Sequence, residues 1–258
     1  MKIAALYDIH GNLPALNAVL VELEEVQPDL ILIGGDIVFG PLPRQTLERV
    51  LQLGERVRFI HGNGDCEIVA TFDGQPLNRR YLPPISEKGQ QEAQWVAGQL
   101  THAQRNFLAS LPDQLVLEIT DLGNTLFCHA TVRSDEEIFT PLTSDERLNA
   151  IFSQVKQDFV VCGHTHIQFE RTIGNLRILN AGSVGMPAAA QPGAYWLLLS
   201  SEGYEFRHTP YDGEAAAQVI RAAGNPLAEE FVKNNVLSVP TIKAMSENLE
   251  RLANKYGI

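Results

Sequence analysis

Three cysteines, Cys66, Cys128 and Cys162, are all that the 258 residues contain, and no two of them form a CxxC pair. An odd number of widely spaced cysteines excludes the disulfide framework of a small secreted domain. It also disfavours a structural zinc site, which normally uses several closely spaced thiolates. The sequence therefore favours a reducing compartment, and we predict a cytoplasmic protein.

Long apolar runs are also missing from the beginning of the chain. The N-terminal stretch MKIAALYD is apolar only as far as Asp8, and His10 follows two residues later. A signal peptide or a membrane-spanning helix needs a longer uninterrupted apolar segment. The sequence therefore predicts no membrane contact.

Positive charge is scarce, since 20 Lys and Arg stand against 31 Asp and Glu and give a formal net charge of −11. Proteins that hold a nucleic-acid polymer by its phosphates need a clustered surplus of basic residues, so this class of partner is disfavoured. A small phosphorylated substrate remains compatible with the acidic chain. Two bound divalent cations would place four positive charges at one spot.

The first sixty residues alternate short apolar runs with amphipathic helical stretches. Leucines spaced three and four apart from residue 13 onward predict a helix, with Asn12 as its N-cap and Pro14 in its first turn. A second helix is predicted at Thr46–Leu53. The apolar runs are too short for helices and are predicted to be buried parallel strands, at Lys2–Tyr7, Asp29–Ile33 and Val57–Ile60.

Two later segments are predicted to be helical. Residues 71–111 are polar and rich in Gln, and two stretches that begin after Ser86 and Thr101 have the pattern of capped helices. We interpret 71–111 as a helical insertion over the site. In the last helix an apolar stripe predicts packing on the body of the protein, with homodimerisation as the alternative. The stripe consists of Ile242, Met245, Leu249, Leu252 and Tyr256.

Strand–helix alternation early in the chain and hairpins later predict an α/β fold. The hairpins are predicted to turn at Gly123-Asn124 and Gly174-Asn175. We expect two mixed sheets packed face to face with helices outside, which is a four-layer α/β/β/α sandwich. The main domain is predicted to span 1–211, and a C-terminal helical extension packed on it to span 212–258.

Five short blocks place oxygen or imidazole ligands directly after predicted strands. The carboxyl ends of strands in an α/β sheet converge on one crevice, so these side chains are expected to meet. Mixed carboxylate, amide and imidazole ligands suit Mn²⁺, Fe²⁺ or Zn²⁺ better than Mg²⁺. The blocks are Asp8-Ile9-His10, Gly35-Asp36, Gly62-Asn63-Gly64-Asp65, Cys128-His129-Ala130 and Gly163-His164-Thr165-His166.

In this order the blocks read DxH, GD, GNxD, H and GHxH, and the set resembles the calcineurin-like metallophosphoesterases over roughly residues 2 to 187. The block Asn180-Ala181-Gly182-Ser183-Val184-Gly185 is similar to the segment that follows GHxH in the small bacterial, phosphodiesterase-like branch of that family. Rival hydrolases differ: an amidohydrolase barrel carries its His-x-His on the first strand, and the HxHxDH run of metallo-β-lactamases is absent.

The resemblance implies a centre with two divalent metal ions, Mn²⁺ being the expected metal and Fe²⁺/Fe³⁺ or Zn²⁺ the alternatives. A hydroxide bridging the two metals would attack phosphorus. The implied catalytic residues are Asp36, Asn63 and His129. One ion is expected on Asp8, His10 and His166 and the other on Asn63, His129 and His164, with Asp36 bridging both. The expected substrate-binding residues are Asn12, Arg79 and Arg133.

Gly64 departs from the family pattern. Many members have His at this place in a GNH motif, where it helps to protonate the leaving alcohol. Without a positioned acid, a rate factor of roughly 10²–10⁴ is missing, so leaving groups that need little protonation are favoured. Asp65 is predicted either to support a ligand or to cap a helix. His61 is either a substitute acid or a packing residue at the end of its strand.

These features predict a metal-dependent hydrolase of phosphate esters. A phosphodiesterase acting on a small or cyclic-nucleotide diester is the leading hypothesis. A phosphomonoesterase is the alternative within the enzyme class, and an inactive metal-binding scaffold is the alternative outside it.

Overall fold

The first sheet is built around the N-terminal strand. In the computed structural model, which describes residues 1–120 and 122–256, β1 (Ile3–Leu6) pairs in parallel with β2 (Leu30–Ile33), which pairs in parallel with β3 (Val57–Phe59). On the other side of β1, β9 (Ala194–Ser200) runs antiparallel and pairs with β10 (Gly203–Thr209). The order is therefore β10-β9-β1-β2-β3.

The second sheet is also mixed and has the order β4-β5-β6-β8-β7. Its three central strands are parallel, and its two edge strands are antiparallel to their neighbours. The strands are β4 (Gln114–Ile119), β5 (Gly123–Cys128), β6 (Phe159–Cys162), β7 (Gln168–Ile173) and β8 (Leu176–Ala181).

Nine α-helices lie among the described residues. They are α1 (Leu13–Val26), α2 (Pro43–Leu51), α3 (Asn63–Phe72), α4 (Glu87–Gln99), α5 (His102–Ala109), α6 (Asp145–Phe152), α7 (Gly213–Ala222), α8 (Ala228–Phe231) and α9 (Ile242–Tyr256). A 3₁₀ turn covers Gly54–Arg56, and a π-helical turn at Val232–Val236 continues α8. None of the described helices is long and apolar enough to cross a membrane.

Alternating side chains divide the core into layers. In β1, Ala4 and Leu6 pack with the helices outside the first sheet, whereas Ile3 and Ala5 pack between the two sheets. This follows from the two-residue period of a strand, which sends neighbouring side chains to opposite faces. Strand β6 alternates in the same way between the inter-sheet core and the helix layer of the second sheet. The predicted four-layer α/β/β/α sandwich is confirmed.

Some predicted boundaries differ from the structure. Helix α2 begins at Pro43 rather than Thr46, because proline fits the first turn of a helix. The turn predicted at Gly174-Asn175 is confirmed, with Ile173 opposite Leu176. The turn predicted at Gly123-Asn124 is wrong, because β5 already begins at Gly123 and pairs it with Ile119. Residue 121 lies outside the described residues.

The segment predicted as a helical insertion, 71–111, is only partly helical. It contains the end of α3 together with α4 and α5, and Ser86 and Thr101 cap the latter two helices as predicted. Between α3 and α4 the chain has no helix. This stretch contains Arg79, whose guanidinium pairs with Glu67 on α3, and Arg80, whose backbone nitrogen donates to the carboxylate of Glu136.

Helix α9 packs on the second sheet's helix layer through Met245 and Leu249. Glu250 accepts hydrogen bonds from the hydroxyls of Thr140 and Thr143, which ties the helix to the loop before α6. Ile242, at the start of the predicted stripe, is exposed. Residues 257–258 of the predicted extension lie outside the described residues, and homodimerisation stays a prediction.

The inter-sheet core gives a stability prediction. Phe127 on β5 is fully buried between the sheets, so Phe127→Ala should lower the free energy of unfolding by about 3–5 kcal/mol in a denaturant titration. Val116 on the neighbouring strand β4 is 48% exposed, so Val116→Ala should change it by less than about 0.5 kcal/mol. Equal effects of the two substitutions would contradict the assigned layers.

Candidate active site

All seven residues predicted as ligands lie at the carboxyl ends of strands. Those that follow β1, β2 and β3 come from the first sheet, and those that follow β5 and β6 come from the second. Because the strands end at the same edge of the sandwich, the loops of both sheets meet there. The residues brought together are Asp8, His10, Asp36, Asn63, His129, His164 and His166.

Two carboxylates face a group of imidazoles. Oδ1 of Asp8 lies 3.4 Å from Nε2 of His166 and 3.7 Å from Nε2 of His129. Oδ2 of Asp36 lies 3.6 Å from Nε2 of His129 and 3.5 Å from Nε2 of His10. Nε2 of His10 is also 3.1 Å from Nε2 of His166. Oxygen and nitrogen atoms from both sheets therefore surround one small volume.

A second set of atoms meets at Asn63. One terminal atom of its side-chain amide lies 3.3 Å from Nε2 of His129 and 3.0 Å from Nδ1 of His164. The NH₂ group at that position would donate hydrogen bonds to the two rings, whereas the carbonyl oxygen there would be a third ligand beside two imidazole lone pairs. The amide orientation therefore depends on whether a cation lies between these groups.

Backbone carbonyls hold three of the imidazoles in place. Nδ1 of His10 lies 3.0 Å from the oxygen of Phe39, and Nδ1 of His129 lies 2.8 Å from the oxygen of Gly34. Nε2 of His164 lies 3.1 Å from the oxygen of Glu136. A ring nitrogen that donates to a carbonyl leaves the other nitrogen as a lone pair, which is the arrangement found around metal-binding histidines.

The donor set fits divalent cations. Oδ1 of Asp8 is buried without a hydrogen-bond partner, although its other oxygen accepts a hydrogen bond from the backbone nitrogen of His164 at 2.8 Å. A buried carboxylate oxygen that faces imidazole lone pairs needs a positive charge between them. Carboxylate, amide and imidazole donors together match borderline ions of the Mn²⁺, Fe²⁺ or Zn²⁺ type.

Burial and charge set the protonation of these groups. Burial by itself raises the pKa of Asp8, but the imidazoles of His166 and His129 outweigh it and hold that pKa below its usual range. Burial, and then the neighbouring His129, lower the pKa of His164 to about 4, so its lone pair is free at neutral pH. Burial opposes protonation of His129, yet Asp36 and Asp8 raise its pKa. The carboxylates therefore attract positive charge, which a proton or a metal cation can provide.

The ligand loops have an unusual backbone. Apart from Gln27, the non-glycine residues with positive φ among those described are all predicted ligands. A left-handed conformation costs an L-residue roughly 1–2 kcal/mol, so this strain is concentrated at the site. The ligands concerned are Asp8 (φ 54°), His10 (48°), Asp36 (52°), His164 (67°) and His166 (60°).

Glycines allow Asp36 to approach the loop that carries Asn63. The backbone nitrogen of Gly64 donates to Oδ1 of Asp36 at 2.6 Å. A Cβ atom on Gly64 would lie 2.9 Å from that oxygen, and one on Gly62 would lie 2.3 Å from it. Gly64 is therefore required for this close contact, in addition to lacking the imidazole of the family motif.

The side chains of Asp65 and Ser183 hold the loops of the predicted ligands by hydrogen bonds to their backbone. The carboxylate of Asp65 is fully buried and accepts hydrogen bonds from the backbone nitrogens of Ile37 at 2.9 Å and Gly62 at 3.2 Å. It thus caps α3 and also holds the residue after Asp36, so both predicted roles apply. Burial, and then the charge of Asp36, raise the pKa of Asp65 to about 7. The Ser183 hydroxyl donates to the backbone carbonyl oxygen of Asp8 at 2.8 Å.

His61 lies beside the ligands in a network that the sequence does not indicate. Its Nε2 is 2.6 Å from Oδ1 of Asp113, and its Nδ1 is 3.5 Å from Oδ2 of Asp135. These contacts, with that to Asp135 first, raise the pKa of His61 to about 11. Asp113 precedes β4 and Asp135 follows β5 in a loop without a motif, so no local pattern identifies either partner.

The three residues predicted to bind substrate have different surroundings. Asn12 is buried and caps α1, and its amide nitrogen donates to the oxygen of Gly185 at 3.0 Å. Arg79 pairs with the buried Glu67 at 2.6 Å. Arg133 pairs with Glu137, remains 41% exposed, and lines a cavity together with His61 and His129. Arg133 thus borders a cavity that also reaches the predicted ligand His129.

Comparison with known proteins identifies a family. The family model of the calcineurin-like phosphoesterase superfamily domain matches residues 1–203. An uncharacterized protein of Methanocaldococcus jannaschii is 28% identical over 240 residues, or 84% of this chain and 91% of that protein. Phosphodiesterase YfcE of Escherichia coli K12 is 25% identical over 207 residues, which are 77% of this chain and 87% of that protein. The crystal structure of a hypothetical protein from Pyrococcus horikoshii OT3 has the same fold, with a TM-score of 0.77 at 23% identity, over 93% of this chain and 99% of that one.

The close contact at Gly64 gives a prediction for metal binding. Gly64→Ala should displace the carboxylate of Asp36 and weaken Mn²⁺ binding by about 10–100-fold, the range typical for a change in the groups that position ligands. Isothermal titration of the metal-free protein with Mn²⁺ measures the effect. Gly98→Ala is the matched control, because a Cβ there meets no atom within 4 Å. Unchanged affinity in Gly64→Ala would contradict the proposed constraint.

Proposed function

The chain belongs to the calcineurin-like phosphoesterase superfamily, and from this premise we propose that it is a two-metal hydrolase of small phosphodiesters. As a member of this superfamily it is a hydrolase of ester bonds, and the family uses divalent metals. The number of ions, the residues that hold them and the type of ester are the proposal. The single observation that carries it is the convergence of two buried carboxylates with imidazole nitrogens fixed by backbone carbonyls.

The seven ligands divide naturally into two overlapping sets. Asp8, His10 and His166 form one set, in which one candidate ligand atom from each side chain lies within 4.8 Å of the other two. The second set gathers around the Asn63 amide, with His129 and His164 beside it. Asp36 faces both His10 and His129, so its carboxylate is suited to bridge the sets. When bound, two such ions supply Lewis acidity toward a phosphoryl group and a nucleophile at neutral pH.

One arginine beside the centre is placed to offset the negative charge of a phosphorylated substrate. Arg133 borders a cavity of about 240 Å³ that His129 and His61 also line. Its guanidinium is held by Glu137 through Nε at 3.1 Å, and its exposed part can still pair with a phosphate oxygen. We propose that this cavity receives the phosphate ester, with Arg133 as the residue that orients it.

The diester preference rests on the lack of a positioned acid at residue 64. Gly64 has no side chain, and the nearest candidate, His61, is held between Asp113 and Asp135. A ring whose two nitrogens both face these carboxylates is not free to give a proton to a leaving alkoxide. The centre is therefore expected to favour leaving groups that are already stable as anions.

The first test measures turnover. Protein stripped by a chelator and reloaded with Mn²⁺ should hydrolyse bis(p-nitrophenyl) phosphate with a higher kcat/KM than p-nitrophenyl phosphate, as measured by release of p-nitrophenolate. Chelation should abolish both activities, and Mn²⁺ should restore them. Asp36→Asn should lower kcat/KM by about 10²-fold or more, because it removes charge that both ligand sets share.

Asp145→Asn is the control for this substitution, because Asp145 is an exposed carboxylate on α6 whose ion-pair partner is Arg171 on β7 and not one of the seven predicted ligands. It should keep the activity of the unaltered protein. If neither ester turned over with Mn²⁺, Fe²⁺ or Zn²⁺, hydrolysis would be contradicted and the scaffold alternative favoured. A higher kcat/KM for the monoester would favour a phosphomonoesterase.

The second test concerns the missing acid. Gly64→His adds an imidazole where the family motif has one, whereas Gly64→Ala adds only the Cβ that crowds Asp36. Both variants should lose total activity through that crowding. Only Gly64→His should raise the ratio of kcat/KM for a phenyl phosphodiester, whose leaving phenolate is more basic, to kcat/KM for bis(p-nitrophenyl) phosphate. An equal ratio in the two variants would contradict the argument from the absent acid.

A further inference from the structure

A second cluster of metal-ligating side chains lies beside the centre just described. It consists of His61, Cys66 and Asp135, which we call the thiol cluster, and its three candidate ligand atoms all lie within 4.8 Å of one another. None of these residues belongs to the seven ligands of the dinuclear centre. His61 stands at the end of β3, Cys66 in the first turns of α3 and Asp135 in the loop after β5.

The distances in the thiol cluster match those between ligands of one ion. Nδ1 of His61 is 3.2 Å from Sγ of Cys66 and 3.5 Å from Oδ2 of Asp135. Zinc forms bonds of about 2.0 Å to nitrogen and oxygen and about 2.3 Å to sulfur. At tetrahedral angles these lengths separate nitrogen from sulfur by about 3.5 Å and nitrogen from oxygen by about 3.3 Å. Small side-chain shifts therefore bring the three atoms onto one cation.

Asp113 holds the histidine in the orientation that ligation requires. Its Oδ1 lies 2.6 Å from Nε2 of His61, on the opposite side of the ring from the thiol cluster. A carboxylate on the outer nitrogen of a ligating histidine fixes the tautomer and increases the basicity of the inner nitrogen. The hydrogen-bond partner of a metal-bound imidazole is thus already present.

The thiol cluster also has an open side. His61 and Asp135 line the same cavity as Arg133 and His129, and Cys66 is exposed. Three protein ligands with one face open to a cavity are typical of zinc sites that exchange their fourth ligand. The sulfur selects against Mn²⁺, because thiolates favour softer ions such as Zn²⁺.

We propose that His61, Cys66 and Asp135 bind a single Zn²⁺-type cation, distinct from the two ions of the phosphoesterase centre. The competing arrangement is a set of hydrogen bonds from a protonated His61 to Asp113, Cys66 and Asp135. The two arrangements differ in whether Nδ1 of His61 holds a metal or a proton. They also differ in whether sulfur becomes a ligand, which spectroscopy detects directly.

Cobalt(II) is the probe for this difference. A thiolate bound to Co²⁺ gives an intense charge-transfer band in the near ultraviolet, and the seven ligands of the dinuclear centre include no sulfur. The metal-free full-length protein titrated with Co²⁺ should develop this band. Cys66→Ser should abolish the band and lower the bound cobalt by one ion per chain, measured by elemental analysis. Asp135→Asn should weaken cobalt binding at the thiol cluster, so that the band appears only at higher Co²⁺ concentration.

Two further variants make the result specific. Cys162→Ala should keep the band, because Cys162 is buried in the core with its sulfur directed at the oxygen of Leu179. Asp36→Asn should lower the cobalt held by the dinuclear centre and leave the band in place, so failure of the proposed function is distinguished from failure of this proposal. A saturated protein without the band, or a band that survives Cys66→Ser, would overturn the proposal and leave the hydrogen-bonded arrangement.

Discussion

The convergence of two buried carboxylates with imidazole nitrogens, which requires positive charge between them, is the constraint on which the rest of the site depends. Asp8 and Asp36 face nitrogens from both sheets, and five of the seven predicted ligands hold left-handed backbone conformations there. At roughly 1–2 kcal/mol for each residue, this strain is comparable with the net stability of a typical domain, about 5–15 kcal/mol. Packing and hydrogen bonds elsewhere must offset it, and the supporting contacts of Asp65 and Ser183 are part of that compensation.

The spacing between the two sheets determines whether the ligands can meet. Tyr7, the residue before Asp8, is fully buried between the sheets, and its hydroxyl donates to the oxygen of Val161 at 3.0 Å. A Cβ on Gly34 would lie 2.1 Å from the Tyr7 ring, and one on Gly163 would lie 2.6 Å from it. The ring therefore fills the space between strand ends, and glycine at these two positions allows the sheets to close around it.

Much of the fold, and the place where the predicted ligands meet, can be derived from the sequence because both depend on local patterns. Each ligand follows a short apolar strand, so placement at strand ends follows from the motif and the strand together. The partners of His61 are different: Asp113 and Asp135 come from segments without a pattern and meet only in the folded chain. The pairing of Arg79 with Glu67 could not be predicted from a local pattern either. Nor could the start of β5, since Gly123, with φ 79°, already belongs to the strand and not to the turn between β4 and β5.

The contact between Tyr7 and Val161 joins residues 154 positions apart, and this separation has a consequence for how the protein reaches its native state. Contacts between distant parts of a chain form slowly, because a long loop must close before they provide any stabilisation. The second sheet lies within residues 114–181, whereas the first sheet must join β1 to β9 from the two sides of that segment. The residues from both sheets can meet at the site only after the two sheets have docked. Metal affinity would therefore appear at the end of folding, and a freshly translated chain would have most of its secondary structure before it could hold an ion.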